Sequence, residues 1–131
     1  MGPTVNVVYQ GHHTGRLPRI NQKFGARSMG GKAALFMANK YRDGLHDMAM
    51  VFSVTRPTVP IDYPVDAHIE VSLWSRIDSD ATIKGIFDAL EIGRVLEDDK
   101  LVRHFEVVRS YHHRDTPDSV SVTLRETEKE V

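Results

Sequence analysis

Near the middle of this 131-residue sequence, four aspartates flank a short helix-like segment that contains one lysine near its start. Asp78 and Asp80 form a D-x-D pair before the segment, Lys84 lies four residues past Asp80, and Asp98 and Asp99 follow the segment. Carboxylates held close together repel one another unless a cation compensates, and hard divalent cations prefer oxygen ligands. The pattern therefore predicts a Mg²⁺ or Mn²⁺ site of the kind that serves phosphoryl-transfer chemistry.

The same residues also fit interpretations without a metal. Asp80 or Ser79 is suited to cap the N-terminus of a helix, and the adjacent Asp98 and Asp99 are suited to a turn. Lys84 is spaced to pair with Asp80 or Asp88 on an exposed helix face. Spacing alone leaves both interpretations open.

A strand and a helix are predicted to position these residues. Residues 65–74, VDAHIEVSLW, alternate between apolar and polar side chains and predict a half-buried strand. The apolar residues that follow have i, i+3, i+4, i+7 spacing and predict one buried helix face: Ile83, Ile86, Phe87 and Leu90. A further strand is expected at about 101–111. If the two strands are neighbours, the four carboxylates converge at one end of a sheet.

The remaining patterns predict a single α+β domain over residues 1–131, a small mixed β-sheet with two main helices. A strand is expected in TVNVVYQG (4–11), then a polar loop containing His12 and His13, a helix over 28–54, and a last strand over 118–125. The pairs His12-His13 and His112-His113 lack the i, i+4 metal-binding spacing and are predicted to be surface or loop residues. The helix over 28–54 carries a stripe with spacings of three and four: Ala34, Ala38, Tyr41, Leu45, Met48 and Phe52. That stripe fits either a core face or a dimer interface.

Composition and charge distribution narrow the function. The chain has no cysteine, which excludes thiolate catalysis and a zinc site built on sulfur. It has no apolar stretch near the roughly 20 residues of a membrane span and no secretory signal pattern, so we expect no membrane association and a cytoplasmic location.

The basic residues are unevenly distributed. Residues 1–42 contain seven Lys or Arg and no Asp or Glu. Their side chains either form a solvated surface or attract a polyanion. The candidate phosphate contacts in the Gly-containing loop are Arg16, Arg19, Lys23 and Arg27.

The stretch DSDATIKGIFDALEIGRVLEDDKLV (78–102) resembles the core motif of the RusA-type Holliday junction resolvases. That motif is approximately D-x-D-N-x-x-K, a helix containing D-A-L, and D-D before a strand. The matching positions are Asp78, Asp80, Lys84, Asp88-Ala89-Leu90 and Asp98-Asp99. The order of predicted strands and helices is also similar, but the family asparagine after the second aspartate is Ala81 here.

The resemblance implies a homodimeric, metal-dependent endodeoxyribonuclease that resolves four-way DNA junctions by paired symmetric nicks. Asp78, Asp80 and Asp99 would hold Mg²⁺ (or Mn²⁺), with Asp98 as an auxiliary ligand. Lys84 would act with Asp78, Asp80 and Asp99 as a catalytic residue near the phosphate. The basic loop would contact DNA.

Two other classes of function remain open. Ala81 in place of asparagine is compatible with a junction-binding protein of weakened catalysis, because an amide beside metal ligands orients them. A metal-binding protein unrelated to DNA is the other alternative. A nicking assay and a binding assay on a four-way junction separate the three.

Overall fold

The computed structural model describes residues 6–15, 17, 31–73, 80–111 and 116–128, without the side chains of 31–41 and 80–82. The elements are β1 (Val7–Thr14), α1 (Gly31–Val54), β2 (Val65–Leu73), α2 (Asp80–Ile92), a 3₁₀ turn (Asp99–Leu101), β3 (Val102–Tyr111) and β4 (Ser119–Glu126). No helix among the described residues combines the length and apolar character needed to cross a membrane.

The four strands form one mixed sheet in the order β1-β4-β2-β3. The pairs β1/β4 and β4/β2 are antiparallel, whereas β2 and β3 are parallel and are joined through α2. A parallel pair needs such a crossover, because its second strand starts beside the start of the first. One mixed sheet with two helices confirms the predicted α+β fold class.

One face of the sheet is buried against the helices. Alternate residues of β2, from Val65 through Ile69 to Leu73, are buried, as are Val120, Val122 and Leu124 of β4. They pack in one core with the buried residues of the two helices, which include Met48, Phe52, Ile83, Ile86, Phe87 and Leu90. The two-residue and 3.6-residue periodicities of the sequence therefore predicted these buried faces correctly.

Part of the α1 stripe is accounted for by this core. Met48 and Phe52 are fully buried, and Leu45 packs against the core. The Tyr9 hydroxyl donates a 2.9 Å hydrogen bond to the Phe52 carbonyl, which ties the end of α1 to β1. This part of the stripe is therefore core packing and not a dimer interface.

β1 ends three residues later than predicted, at Thr14 and not at Gly11. His12 and His13 were predicted to lie in a loop, but they belong to β1 and continue its pairing with β4 as far as Thr14 and Ser119. His13 is buried with 6% exposure, so the prediction of a surface or loop residue was wrong for His13. Pairing with a long partner strand outweighed the local preference of a polar, glycine-containing segment.

The opposite face of the sheet carries polar side chains. On it His68 Nδ1 lies 2.6 Å from Glu106 Oε1 across the β2/β3 pair, and His68 Nε2 lies 3.2 Å from Glu70 Oε1. These hydrogen bonds favour the imidazolium form and raise the pKa of His68 above 6.5. These contacts stabilise the folded protein fully at a pH below the pKa that His68 has in the unfolded chain. The stabilisation is lost as the pH rises through the higher pKa of His68 in the folded protein.

His68→Gln should therefore lower the free energy of unfolding at pH 5.5 and have little effect at pH 8.5. Both glutamates are more than half exposed, so the difference should be below about 1 kcal/mol. Urea denaturation at the two pH values measures it, with the exposed His46→Gln as control. An equal loss at both pH values would contradict the ionic explanation.

Candidate metal centre

The end of α2 fixes the segment that carries Asp98 and Asp99. Val95 N–H donates to the Leu90 carbonyl at 2.9 Å and Arg94 N–H to the Glu91 carbonyl at 3.0 Å, which is a Schellman ending with Val95 buried beside the last turn. Arg94 has φ 62°, in the left-handed region where glycine is usual. The chain therefore reverses sharply after α2.

Two further features hold this reversal in place. A Cβ on Gly93 would lie 2.7 Å from the Ala49 carbonyl oxygen, so glycine permits the close approach of α1 and α2. Ile61 bonds to both sides of the segment, donating to the Val95 carbonyl at 2.9 Å and accepting from Glu97 N–H at 2.9 Å. Asp98 and Asp99 therefore follow a backbone that is anchored to the core.

Asp98 and Asp99 begin the 3₁₀ turn that leads into β3. Asp98 is its N-cap, and its Oδ1 accepts a 2.8 Å hydrogen bond from Lys100 N–H. Asp99 N–H donates to Glu91 Oε1 at 2.6 Å. The turn interpretation of Asp98 is thus correct, and the turn also places Asp99 against the last part of α2.

Lys84 connects the two halves of the motif. Its ammonium donates to Asp99 Oδ2 at 2.9 Å and lies 3.2 Å from Asp88 Oδ1, one helical turn away. Lys84 thus makes the predicted i, i+4 pair with Asp88 and also joins α2 to a residue 15 positions later in the chain. The Lys84 side chain is half exposed and both carboxylates are 28% exposed, so the ion pairs remain accessible to solvent.

The cluster contains more negative than positive charge. Four acidic groups, Asp88, Glu91, Asp98 and Asp99, lie near two ammonium groups, those of Lys84 and Lys100, among the residues that the structure describes. Hydrogen bonds to Asp99 and Asp88 raise the pKa of Lys84, and the bond to Lys84 lowers the pKa of Asp99. Burial, followed by the neighbouring carboxylates, raises the pKa of Glu91. A bound cation would relieve this excess charge.

The donor set fits a hard divalent ion. Glu91, Asp98 and Asp99 each present a carboxylate oxygen within 4.8 Å of the others. The hydrogen bonds above use Glu91 Oε1, Asp98 Oδ1 and Asp99 Oδ2, and each carboxylate has a second oxygen. Oxygens around octahedral Mg²⁺ are about 3–4 Å apart, given bond lengths near 2.1 Å. The separation of at most 4.8 Å is therefore close to the spacing that an ion of this kind requires.

The carboxylates do not meet as the sequence analysis expected. β2 and β3 are neighbours, but they are parallel, and Val65 pairs with Val102 while Leu73 pairs with Tyr111. The start of β3 therefore lies beside the start of β2, and not beside the end of β2 that leads towards the D-x-D. α2 runs back along the sheet from the end of β2 towards the start of β3, and this brings Asp99 close to Lys84. The cluster therefore lies along α2 and not at one end of the sheet.

The structure describes some of the predicted site residues and not others. Lys84, Asp98 and Asp99 lie together, and Asp80 is the first residue of α2, one turn before Lys84. Asp78 and the basic residues Arg16, Arg19, Lys23 and Arg27 lie outside the described residues. Their predicted roles as metal ligand and DNA contacts stay predictions.

Glu91 is a member of the cluster that the sequence analysis missed. It lies seven residues after Lys84 and three after Asp88, so all three share one helix face. That spacing is visible in the sequence, but the motif that Lys84 and Asp99 belong to contains no glutamate at this position.

In comparisons with known proteins, no family model and no curated sequence matches this chain.

Lys84→Met should increase the affinity of the cluster for Mn²⁺ several-fold. The ammonium occupies Asp99 Oδ2, and its removal leaves the carboxylates with more uncompensated charge. The free energy of unfolding should fall by less than about 1 kcal/mol, because the Lys84 side chain is half exposed. Calorimetric Mn²⁺ titration measures the affinity.

The matched control for this prediction is Lys100→Met. Lys100 is exposed and next to Asp99 in the chain, so its loss removes the same charge while leaving the Lys84–Asp99 contact intact. A smaller increase in Mn²⁺ affinity is expected for Lys100→Met. Unchanged affinity in Lys84→Met would contradict a metal site at Asp99.

Proposed function

We propose that this protein is a Mg²⁺-dependent endodeoxyribonuclease that resolves four-way DNA junctions by paired symmetric nicks, as a homodimer in the cytoplasm. The observation that carries the proposal is the 2.9 Å contact between Lys84 Nζ and Asp99 Oδ2. It brings together two halves of the RusA-like motif inside a cluster with excess negative charge.

The residues of the cluster have distinct roles in this proposal. Asp99 and Glu91 would hold the ion, with Asp98 as an auxiliary ligand. The resemblance assigns Asp78 and Asp80 to the same role, but Asp80 begins α2 and Glu91 lies eleven residues later, about 16 Å along the helix axis, so one ion would not reach both. A divalent ion bound there supplies an activated water and polarises the scissile phosphate. Lys84 would move from Asp99 towards the phosphate and stabilise the negative charge that develops in the transition state.

An acidic cluster repels DNA, so binding requires positive charge elsewhere. The basic loop with Arg16, Arg19, Lys23 and Arg27 is the proposed source of that attraction. The two-fold symmetry of a homodimer would match the two-fold symmetry of a four-way junction. Two equivalent sites would then make two symmetric nicks.

Incubation with a labelled four-way junction tests the proposal, with and without Mg²⁺ and beside a linear duplex of the same sequence. We expect nicks in the junction only when Mg²⁺ is present. Junction binding without nicking would favour the junction-binding alternative, for which Ala81 is the supporting residue. Neither binding nor nicking would favour a metal-binding protein unrelated to DNA.

A further inference from the structure

β3 is an edge strand with an exposed outer side. It has ten residues and pairs only with β2 among the described strands. Three of its apolar side chains are about half exposed: Phe105 at 55%, Val108 at 49% and Tyr111 at 51%. Unpaired backbone groups along such an edge are a template for another strand.

Two of the usual protections of an edge strand, a bulge and a proline, are missing from most of β3. Its pairing with β2 is regular from His104 to Tyr111, so no bulge bends this part away. The same stretch contains no lysine and no proline, and its charged residues are one glutamate and one arginine, Glu106 and Arg109. Among the described residues, neither a bulge nor a further strand blocks this part of the edge.

The exposed apolar residues are arranged symmetrically about Val108. Phe105 lies three residues before it and Tyr111 three residues after it. In an antiparallel pair of two β3 strands centred there, Val108 faces Val108 of the second copy and Phe105 faces Tyr111 of the second copy. The remaining opposite pairs are Val107 with Arg109 and Glu106 with Ser110, so no like charges lie directly opposite.

Neighbouring registers are less favourable. Centring the pair on Glu106 places two glutamates opposite each other, and like charges there are destabilising. Centring it on Val107 leaves Val108 opposite Glu106 and removes the aromatic pairs. Of these registers, the one centred on Val108 places each exposed apolar side chain opposite another one. Val108 meets Val108 of the second copy on the polar face, and Phe105 meets Tyr111 of the second copy on the helix face.

We propose that a second copy of this chain pairs with β3 edge to edge, antiparallel, about a two-fold axis at Val108. Directly opposite aromatic and apolar side chains stabilise such a pair. The Phe105 ring is already held by edge-on packing against Phe87, with ring centres 5.5 Å apart. Little side-chain entropy is therefore lost when Phe105 enters the interface.

The proposed pairing names the surface that a homodimer would use. Two antiparallel strands in one sheet are related by an axis perpendicular to that sheet. Both helix layers, and with them both acidic clusters, would then lie on the same side of a continuous eight-stranded sheet. That both clusters would face one DNA junction rests on the proposed function. The pairing of the two β3 strands does not, and it is tested without DNA or metal.

Sedimentation equilibrium of Val108→Lys tests the interface. The wild-type protein should show a concentration-dependent monomer–dimer equilibrium at micromolar concentration. Val108→Lys places two ammonium groups opposite each other on the axis and should weaken the dimer at least about tenfold. Val59→Lys, at a loop position that is 68% exposed, is the matched control and should dimerise like the wild type. A wild-type protein that stays monomeric, or a Val108→Lys variant that dimerises normally, would overturn the pairing.

Cysteine cross-linking tests the register, because the chain has no cysteine of its own. Val108→Cys should form a disulfide-linked dimer under mild oxidation, since opposite Cα atoms in an antiparallel pair are about 4.5–5.5 Å apart and a disulfide spans that distance. Val107→Cys should not, because the two 107 positions would be diagonal and about 8 Å apart. Cross-linking at 107 and not at 108 would overturn the register on Val108.

Discussion

Asp99→Asn should reduce Mg²⁺-dependent nicking of a four-way junction by more than about a hundredfold, because loss of a direct ligand should cost at least as much as loss of a group that supports one. Asparagine keeps the shape of the side chain but removes the charge that both Lys84 and a divalent ion require. Junction binding should persist or tighten, since less negative charge then faces the phosphates. The nicking rate and the electrophoretic shift are measured on the same preparation.

Asp88→Asn is the matched control for this variant. Asp88 also contacts Lys84, at 3.2 Å, but it is not among the three carboxylates whose oxygens lie within 4.8 Å of one another. Its substitution should therefore have a much smaller effect on nicking. Full cleavage by Asp99→Asn would refute the assigned site, and an equal loss in Asp88→Asn would indicate a folding defect.

The effect of substituting each of the other carboxylates should depend on the contacts that the carboxylate makes. Glu91→Gln should lower metal affinity together with nicking, because Glu91 is one of the three clustered carboxylates. Asp98→Asn should be milder, since one oxygen of Asp98 caps the 3₁₀ turn. From the resemblance, Asp78→Asn and Asp80→Asn should reduce nicking as strongly as Asp99→Asn does. These variants extend the same assay.

Much of the fold could be predicted because local patterns agree with the final packing. The alternation in β2 and the helical spacing of Ile83, Ile86 and Leu90 correctly predicted which faces are buried. The end of β1 could not be predicted in this way, because its pairing with β4 depends on a strand more than 100 residues later. Non-local pairing leaves little trace in the local sequence.

The candidate site could also be predicted only in part from the sequence. Lys84 and Asp99 were predicted as members of one site, but their meeting point was wrong because local patterns do not reveal whether two strands are parallel. Glu91 was missed although its spacing from Lys84 was visible. The sharp reversal at Arg94, with φ 62°, could not be foreseen either, since glycine is the usual residue there. Sequence patterns thus identified most of the residues but not the geometry that brings them together.

The joint replacement of Arg16, Arg19 and Arg27 by alanine should weaken junction binding and flatten its salt dependence. Each lost phosphate contact removes about one unit from the slope of log K against log salt, so about three units are expected. The reason is the charge distribution, because residues 1–42 carry seven basic and no acidic side chains. Electrophoretic shifts at several salt concentrations measure the slope.

The control for the basic loop removes the same charge elsewhere. Arg56 and Arg103 are exposed. Together with Lys129 they lie outside residues 1–42, and joint replacement of the three by alanine changes the net charge equally. If the loop touches DNA, the loop variant should lose far more affinity and slope than this control, because counterion release depends on direct phosphate contacts. Equal losses in both variants would mean that only overall charge matters, and an unchanged slope in the loop variant would show that the loop does not touch DNA.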